Sequence, residues 1–558
     1  MKKIRILSML LAIAMLFGLA ACNTGTDNGE KTDGQGNATP EAPTEEPTEA
    51  PTEVPETGID EPLNLEYAAD FTVAKAFSKD MVVQRGEHIR VWGWADESEN
   101  GKKVSGEFMG MFTEAEIVDG EWVLTFKKKL EANANLGNSM RIYTDTKEVV
   151  FDDVLVGDVY MCIGQSNCAY SMSIHWQYVD KNDAERYGMK TIDKELPVRL
   201  HYNTAASPTK LKRGTTAVNK DVASSSKWRK ATSSVVSPFT AIGYMFAADY
   251  AKASGVPVGV IEIDGNGLPI GAFVSNEVAE KCKTDTYNEK KGYYVTSGVN
   301  ADAGRYMYNE YMYPFERMAM AGVIWYQGES DFTDALTAKY VNTFCELMNY
   351  MRGTHNLIHK DFAVYYVEFP SIYQNTTGAS QWAYMDLGKI RAKMGEIVTV
   401  LPNSYQIVSS DVWPDRTFWN SLHPNCKAEQ AKRGSNIALA VNGEGDMTME
   451  KATGPIIDSI TYSSDGKTAT VKFKNVGDGL KTIDGDAKVK GFLGLAGENT
   501  LSKKEVDATI TGKDTVEVKA SFELKGIAYN AVSENFFGET INLANSEGNP
   551  AGAFMINR

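Results

Sequence analysis

A serine, a histidine and several amide and glycine residues lie where they could together carry out acyl transfer. Three polar segments each follow an apolar, strand-like run: residues 164–167 (Gly-Gln-Ser-Asn), 264–267 (Asp-Gly-Asn-Gly) and 327–330 (Gln-Gly-Glu-Ser). A serine hydroxyl is a weak nucleophile that needs an adjacent base, usually histidine. The negative oxygen formed during acyl transfer needs fixed N–H donors. Ser166 is therefore the candidate nucleophile, and His423, in a loop after a later strand-like run, is the candidate base.

His423 is distinguished from the other histidines by its place in the pattern. It follows a late strand-like run and precedes a helical pattern with a proline near its start. His88 lies in the N-terminal region, outside the alternating strand and helix patterns. His355 and His359 lie in a polar connection after a helical pattern. The remaining two are His175 and His201.

Each of these signals is weak on its own. A Gly-Gln-Ser-Asn segment is most often an ordinary strand-to-helix turn, and a His-Pro pair usually marks the start of a helix. Gly265 and Gly267 are also compatible with a simple tight turn. The absence of a Gly-x-Ser-x-Gly segment around Ser166 argues against the nucleophile elbow of α/β-hydrolases. The combination of signals, in strand order, carries the prediction.

Alternating strand-like and helical patterns predict the scaffold that would bring these residues together. Apolar runs cover residues 159–163, 256–263, 321–326, 362–369 and 405–410. Helical patterns separate them; one begins at Ser237-Pro238 and stops at Gly255. Such alternation indicates a parallel sheet covered on both faces. Functional sites in these sheets form beyond the C-terminal ends of the strands, where all the candidate residues lie.

Short apolar runs with polar punctuation flank this region and predict β-rich modules on both sides. Residues 88–93 and 122–126 are examples before it, and residues 468–473 and 515–520 after it. The predicted organisation is an N-terminal β-domain at 63–153, a catalytic α/β domain at 154–450 and a C-terminal β-rich module at 451–558.

The first 62 residues have the sequence features of a targeting segment followed by a linker. Lys2, Lys3 and Arg5 precede a short apolar run that ends in Leu-Ala-Ala-Cys at residues 19–22, which resembles a bacterial lipobox. Residues 1–22 are therefore predicted to be a lipoprotein signal peptide, with Cys22 lipidated and the protein held on the extracellular face of a bacterial cell membrane. Residues 23–62 repeat Pro-Thr-Glu and carry eleven acids against one lysine, which predicts a disordered linker.

Charge and cysteine content exclude some classes of function. The net charge is −16, and most of it falls in the linker, so no basic face for nucleic acid is visible. Outside Cys22, five scattered cysteines show no metal-ligand spacing, and no metal site is predicted. The odd count leaves at least one thiol unpaired, while disulfide pairing and oligomeric state stay open.

Several segments resemble those of the sialate O-acetylesterases, a family of SGNH-type carbohydrate acetylesterases. The resemblance covers about residues 70–558 and is carried by residues 77–85, 154–160, 164–167, 257–261, 308–309, 322–330, 423–424, 427, 542–543 and 547–551. It implies a flavodoxin-like, three-layer α/β/α domain flanked by β-modules. It also implies serine chemistry on an acetylated carbohydrate, without a metal or cofactor.

The resemblance further implies a role for each candidate residue. Ser166 would be the nucleophile, and its own N–H one oxyanion donor. Gly267 would supply the second donor and Gln327 a side-chain donor. His423 would act as the base and later protonate the leaving sugar hydroxyl.

The group that orients the His423 imidazole is an open point. The family commonly has an acid just before the histidine, whereas residues 419–422 here are Trp-Asn-Ser-Leu. The candidates are Asp411, Asp415, Asn420 and a backbone carbonyl. Asp411 is favoured because it ends the last predicted strand, and Asn420 is the runner-up. Asp415, which follows a proline in a polar loop, reads better as a solvated turn residue.

The favoured function is hydrolysis of O-acetyl esters on carbohydrates, with acetylated sialic acid as the first substrate to consider. Acetylated xylan or another glycan is an alternative, because no segment identifies the sugar. A tethered carbohydrate-binding lipoprotein with a decayed catalytic site is an alternative of a different class. Ser166, His423 and the Gln-Gly-Glu segment at 327–329 favour the enzyme.

Overall fold

The N-terminal part of the chain consists of short strands. The computed structural model describes residues 62–558 except 179–191, 194, 203–213, 224, 292, 297–302, 354–360, 371–386, 413–421, 503 and 533–539. The first strands are β1 (Thr72–Val73), β2 (Val82–Gln84), β3 (Ile89–Trp94), β4 (Lys103–Phe108), β5 (Met111–Glu116), β6 (Glu121–Phe126), β7 (Met140–Tyr143) and β8 (Glu148–Phe151). They form two antiparallel sheets, β1-β3-β6 and β5-β4-β7-β8, and β2 lies outside both. Buried residues alternate with more exposed ones along β5, as expected for a sheet that covers a core on one face.

The longer apolar runs form a parallel sheet. The strands are β9 (Leu155–Gly164), β10 (Val198–Tyr202), β11 (Trp228–Lys230), β12 (Val258–Asp264), β15 (Gly322–Tyr326), β16 (Ala363–Val367) and β17 (Ser404–Ile407), and a separate hairpin consists of β13 (Asp285–Asn288) and β14 (Tyr293–Thr296). The sheet order is β11-β10-β12-β9-β15-β16-β17, and β11 is the antiparallel member. Every residue of β9, β12, β15 and β16 is buried, as expected for strands covered on both faces.

The strand order confirms the predicted fold class. Numbered along the chain, β12, β9, β15, β16 and β17 stand in the order 2-1-3-4-5, which is typical of flavodoxin-like sheets. The order reverses between β9 and β15. Ligands of such sheets bind beyond the carboxyl ends of the strands at this reversal, which here means next to residues 165–167 and 327–331.

Helices cover both faces of the sheet. They are α1 (Met172–Tyr178), α2 (Ser233–Val236), α3 (Ala241–Ser254), α4 (Asn276–Cys282), α5 (Asp334–Gly353), α6 (Leu387–Met394), α7 (Ile397–Val400), α8 (Lys427–Asn442) and α9 (Met449–Ala452), with single helical turns at Glu97–Glu99, Ile270–Ala272, Tyr308–Met312 and Tyr313–Phe315. Neighbouring residues of a strand point to opposite faces. On β16, Phe246 of α3 packs against Tyr365, and Phe344 of α5 packs against Tyr366. The layers are therefore α/β/α.

Two local features differ from the sequence prediction. The helix expected to start at Ser237 starts instead at Ala241, because Thr240 caps it by accepting a hydrogen bond from Gly243 N–H. Strand β2 belongs to the predicted N-terminal domain, yet it pairs in parallel with the first residues of β9. Its backbone therefore extends the central sheet. The predicted domain boundaries at 153/154 and 450/451 stay predictions.

The C-terminal module is all β and is tied to the α/β domain by buried polar contacts. Its strands are β18 (Ile456–Tyr462), β19 (Thr468–Lys474), β20 (Lys481–Thr482), β21 (Phe492–Gly497), β22 (Thr500–Leu501), β23 (Val506–Gly512), β24 (Thr515–Ala520), β25 (Gly526–Tyr529), β26 (Leu543–Ala544) and β27 (Phe554–Asn557). The buried Arg391 guanidinium donates to the backbone and side-chain oxygens of Asn530. The buried Glu368 carboxylate, just after β16, accepts from Gln406 and from Ala553 N–H. Both contacts attach the module to the catalytic sheet.

Residues 1–61 are outside the described part of the chain. They include the predicted signal peptide, Cys22 and nearly all of the predicted linker. Among the residues that are described, no helix is both long and apolar enough to cross a bilayer.

Candidate active site

Ser166 lies in a tight turn directly after the central strand. Gly164 ends β9, and a Cβ atom added there would lie 2.0 Å from the Tyr326 carbonyl oxygen of β15. Only glycine therefore allows the two strands to approach so closely where the turn begins. The next residue, Gln165, donates its N–H to the same Tyr326 oxygen at 3.2 Å. These contacts fix the backbone that presents the half-buried Ser166.

The structure brings His423 to Ser166. The His423 Nε2 atom lies 2.7 Å from Ser166 Oγ, although the two residues are 257 positions apart in the chain. Burial, and then the nearby positive charge of Lys427, lower the pKa of His423 to about 4. The imidazole is therefore neutral at neutral pH, which is the form that can accept the serine proton.

The predicted oxyanion donor Gly267 lies in the turn after β12. Gly265 N–H donates to the Gly164 carbonyl at 3.0 Å, which joins this turn to the start of the serine turn. Gly267 itself has a φ of +68°, in the left-handed region that favours glycine. Its role as an oxyanion donor stays a prediction.

Gln327 makes three internal contacts that the sequence did not predict. Its Nε2 atom lies 2.7 Å from Asp331 Oδ2, 3.0 Å from the Leu268 carbonyl and 3.2 Å from Gln165 Oε1. An amide nitrogen has two hydrogens, so these internal acceptors use its donor capacity. Gln327 thus connects the loops after β9, β12 and β15, and its role as an oxyanion donor stays a prediction.

The buried Asp331 carboxylate belongs to the same group of hydrogen bonds as Gln327. Its Oδ2 atom also accepts from Ile270 N–H at 3.0 Å, and burial raises the pKa of the carboxyl to about 7. Asp331 therefore joins the loop after β15 to the turn that carries Gly267.

The Asp411 carboxylate pairs with an arginine of the neighbouring helix. Arg433 of α8 binds both of its carboxylate oxygens, at 2.7 and 2.9 Å. The oxygens expected to orient His423 are thus engaged by a guanidinium in a two-bond ion pair. Asp411 thus anchors α8 through Arg433, and its role as the partner of His423 stays a prediction. Asp415 and Asn420 lie outside the described residues.

We expect Asp411→Asn to affect stability more than catalysis. Loss of the ion pair with Arg433 should lower the free energy of unfolding by about 1–3 kcal/mol. The kcat should change by less than about threefold, because both carboxylate oxygens are bound by Arg433. Denaturant unfolding and esterase kinetics measure the two effects. Asp285→Asn, which breaks the similar two-bond pair with Arg305, is the matched control. A fall in kcat on the order of 10⁴-fold with unchanged stability would restore Asp411 to the catalytic group.

Three buried residues beside the catalytic pair received no role from the sequence. Asn167, Glu329 and Lys427 are each at most 2% exposed. Asn167 Nδ2 lies 2.5 Å from Glu329 Oε1, and the Lys427 ammonium donates to Asn167 Oδ1 at 2.8 Å. Their positions in the sequence could have pointed to them. Asn167 follows the candidate nucleophile, Glu329 lies in the polar segment after β15, and Lys427 comes four residues after the histidine.

A known protein family matches the part of the chain that contains Ser166. Residues 156–412 match the family described as carbohydrate esterase, sialic acid-specific acetylesterase. This part of the chain, just under half of its length, is therefore similar to that family and is called the acetylesterase region. The acetylesterase region contains Ser166 and the polar segments after β12 and β15, and it ends before His423.

Two curated relatives of the chain come from primates. The chain is 25% identical over 325 residues to a sialate O-acetylesterase of Pongo abelii, and 25% identical over 322 residues to one of Homo sapiens. Each alignment covers 55% of this chain and 57% of the relative. The chain thus matches little more than half the length of these relatives.

A solved structure supports the fold over a larger part of the chain. A carbohydrate acetylesterase from Xanthomonas citri superposes with a TM-score of 0.66 at 21% sequence identity. The match covers 88% of this chain and 100% of the other. The combination of an α/β domain with flanking β-modules therefore has a counterpart of similar fold in another protein.

Proposed function

We propose that this chain is a serine esterase that hydrolyses O-acetyl esters on carbohydrates. The observation that carries the proposal is the 2.7 Å contact between Ser166 Oγ and His423 Nε2 at the strand-order reversal of the sheet. The match of residues 156–412 to a carbohydrate acetylesterase family supports the reaction class.

The proposed reaction begins with proton transfer within the catalytic pair. As Ser166 Oγ attacks the acetyl carbonyl, His423 Nε2 takes the hydroxyl proton. The carbonyl oxygen becomes negative and is stabilised by N–H donors, for which Ser166, Gly267 and Gln327 are the candidates. The imidazolium then gives its proton to the departing sugar oxygen, leaving an acetyl-serine. His423 next takes a proton from water, whose oxygen attacks this ester. The imidazolium then returns that proton to Ser166 Oγ as the bond to the acetyl group breaks, and acetate leaves.

Acetylated sialic acid is the first substrate to test, because the curated relatives are sialate O-acetylesterases. Acetylated xylan or another glycan is the alternative. Acetate release by the full-length chain from O-acetylated sialosides, acetylated xylan and a small aryl acetate ranks these substrates. Release from sialosides with the highest kcat/KM is the expected result, and preference for xylan would assign the chain to the alternative. Binding of a glycan without any hydrolysis would instead support the reading of a decayed site.

We further propose that the enzyme is lipid-anchored through Cys22 on the extracellular face of a bacterial membrane. The support is the sequence of residues 1–22 and the acidic, Pro-Thr-Glu-rich sequence that follows. We expect Cys22→Ala to move the protein from the membrane fraction to the soluble fraction, measured by fractionation and detergent partitioning. Cys282→Ala, which changes a partly exposed cysteine of the folded region, is the control. Wild-type protein found wholly in the soluble fraction would contradict the anchor.

A further inference from the structure

A buried lysine lies beside the catalytic pair. Lys427 is the first residue of α8, four positions after His423, and it is fully buried. Its ammonium donates to the Pro424 carbonyl and to Asn167 Oδ1, both at 2.8 Å. It also lies 4.9 and 5.0 Å from the ring centres of Tyr170 and Tyr326. Burying an ammonium ion costs several kcal/mol unless it is well paired, so these contacts must hold it firmly.

Asn167 connects this lysine to both sides of the serine–histidine contact. It directly follows Ser166, and its Nδ2 atom donates to the Leu422 carbonyl at 2.9 Å. The same nitrogen donates to Glu329 Oε1. The Asn167 amide is thus hydrogen-bonded to Leu422, the residue before His423. Through Lys427 it is also linked to Pro424, the residue after His423. The turn after β9, the loop after β15 and the segment before α8 are joined at this point.

His423 needs such support because no strand or helix contains it. The described residues around it, 422–426, form turns between β17 and α8. A misplacement of about 1 Å in a reacting group can cost about 10²-fold in rate. We propose that Glu329, Asn167 and Lys427 are positioning residues that hold the His423 imidazole against the Ser166 hydroxyl. The inference rests on the proposed function, since it concerns the same catalytic pair.

The positive charge of Lys427 also affects the pKa of His423, which a purely structural role of the three positioning residues would not do. Titratable groups on several packed elements face the ammonium: His175 of α1, Cys168 and Tyr170 of the serine turn, Tyr326 and Glu329 at the end of β15, and His423 and Cys426 of its own loop. After burial, the Lys427 charge is the second cause that lowers the pKa of His423. Removing it should therefore raise that pKa. Because the neutral imidazole is the base, the acidic limb of the activity profile should then move to higher pH.

The test measures how fast a fluorophosphonate labels Ser166 in the full-length protein as a function of pH. This reaction needs the activated serine but no carbohydrate. We expect Lys427→Met to slow labelling about 10²-fold, to lower kcat on a small aryl acetate with KM nearly unchanged, and to move the acidic limb upward. Lys103→Met is the matched control, because it removes another buried lysine, paired with Glu114 in the N-terminal module. It should leave labelling unchanged.

Two further variants keep the inference testable if Lys427→Met does not fold. Asn167→Ala removes the hydrogen bonds to Leu422 and Glu329 and should also slow labelling about 10²-fold. Glu329→Gln keeps an oxygen that can accept from Asn167, so it should retain at least a tenth of the wild-type rate.

The outcomes separate this inference from the proposed function. Labelling of folded Lys427→Met or Asn167→Ala at the wild-type rate, with an unmoved acidic limb, would overturn the positioning role. A wild-type protein that is not labelled at all would overturn the proposed function, and the positioning role with it.

Discussion

Ser166→Ala is expected to lower esterase turnover on the order of 10⁶-fold, the loss typical of removing a serine nucleophile. The hydroxyl is the group proposed to attack the acetyl carbonyl, and its Oγ is the atom that contacts His423. The turn itself should persist, since Gly164 and Gln165 hold its backbone against β15. Turnover of an aryl acetate, fluorophosphonate labelling and thermal unfolding together measure activity, reactivity and stability. We expect the first two to vanish and the third to stay near wild type.

A control is available on the surface of the same domain. Ser234 is an exposed serine of α2 whose hydroxyl contacts Thr232, and Ser234→Ala should leave all three measurements unchanged. Activity that survives Ser166→Ala and disappears with a chelator would point to a metal-dependent hydrolase and refute the serine mechanism.

His423→Ala is expected to be nearly as severe as Ser166→Ala, and the double variant no worse than either single one. Both residues carry out one proton transfer, and members of one catalytic unit are strongly non-additive. Without the imidazole, the Ser166 hydroxyl loses the acceptor that lies 2.7 Å from its Oγ atom. Turnover of the two single variants and the double variant, measured on one substrate, shows whether the losses multiply or coincide.

The corresponding control is a histidine far along the chain. His88→Gln changes a partly buried histidine at the edge of the N-terminal module and should leave turnover unchanged. Retention of more than about 1% of wild-type turnover by His423→Ala would be inconsistent with its role as the base, since general base catalysis contributes about 10²–10⁴-fold even outside a covalent mechanism.

The sheet was predictable because its strands are short apolar runs that must be buried on both faces. The runs at 159–163, 256–263 and 321–326 all became strands, with ends moved by a few residues. The pairing of β2 with β9 was not predictable, because nothing in residues 82–84 distinguishes them from strands of the N-terminal sheets. The helix start at Ala241 was missed because Ser237-Pro238 has the sequence of a cap, whereas the tertiary packing selects Thr240.

The site was predictable where chain direction alone decides position. Ser166 follows a parallel strand, and His423 precedes a helix after the last one, so both lie at the same edge. The hydrogen-bond partner of a polar side chain depends instead on its neighbours in space, which the sequence does not show. Asp411 does lie at the predicted strand end, but Arg433 of α8 engages its carboxylate. Lys427 was missed because a lysine at a helix start is normally solvent-exposed.

The contact between Glu368 and Ala553 has a consequence for synthesis of the protein. Ala553 lies 185 positions after Glu368 in the chain. At 5–20 residues per second a ribosome needs roughly 10–40 s to make that stretch. For this interval the nascent catalytic sheet has an acidic group at its edge without the backbone N–H that binds it in the finished fold. We therefore expect chains released before β27 to be treated as unfolded by cellular quality control, even though they already contain Ser166 and His423.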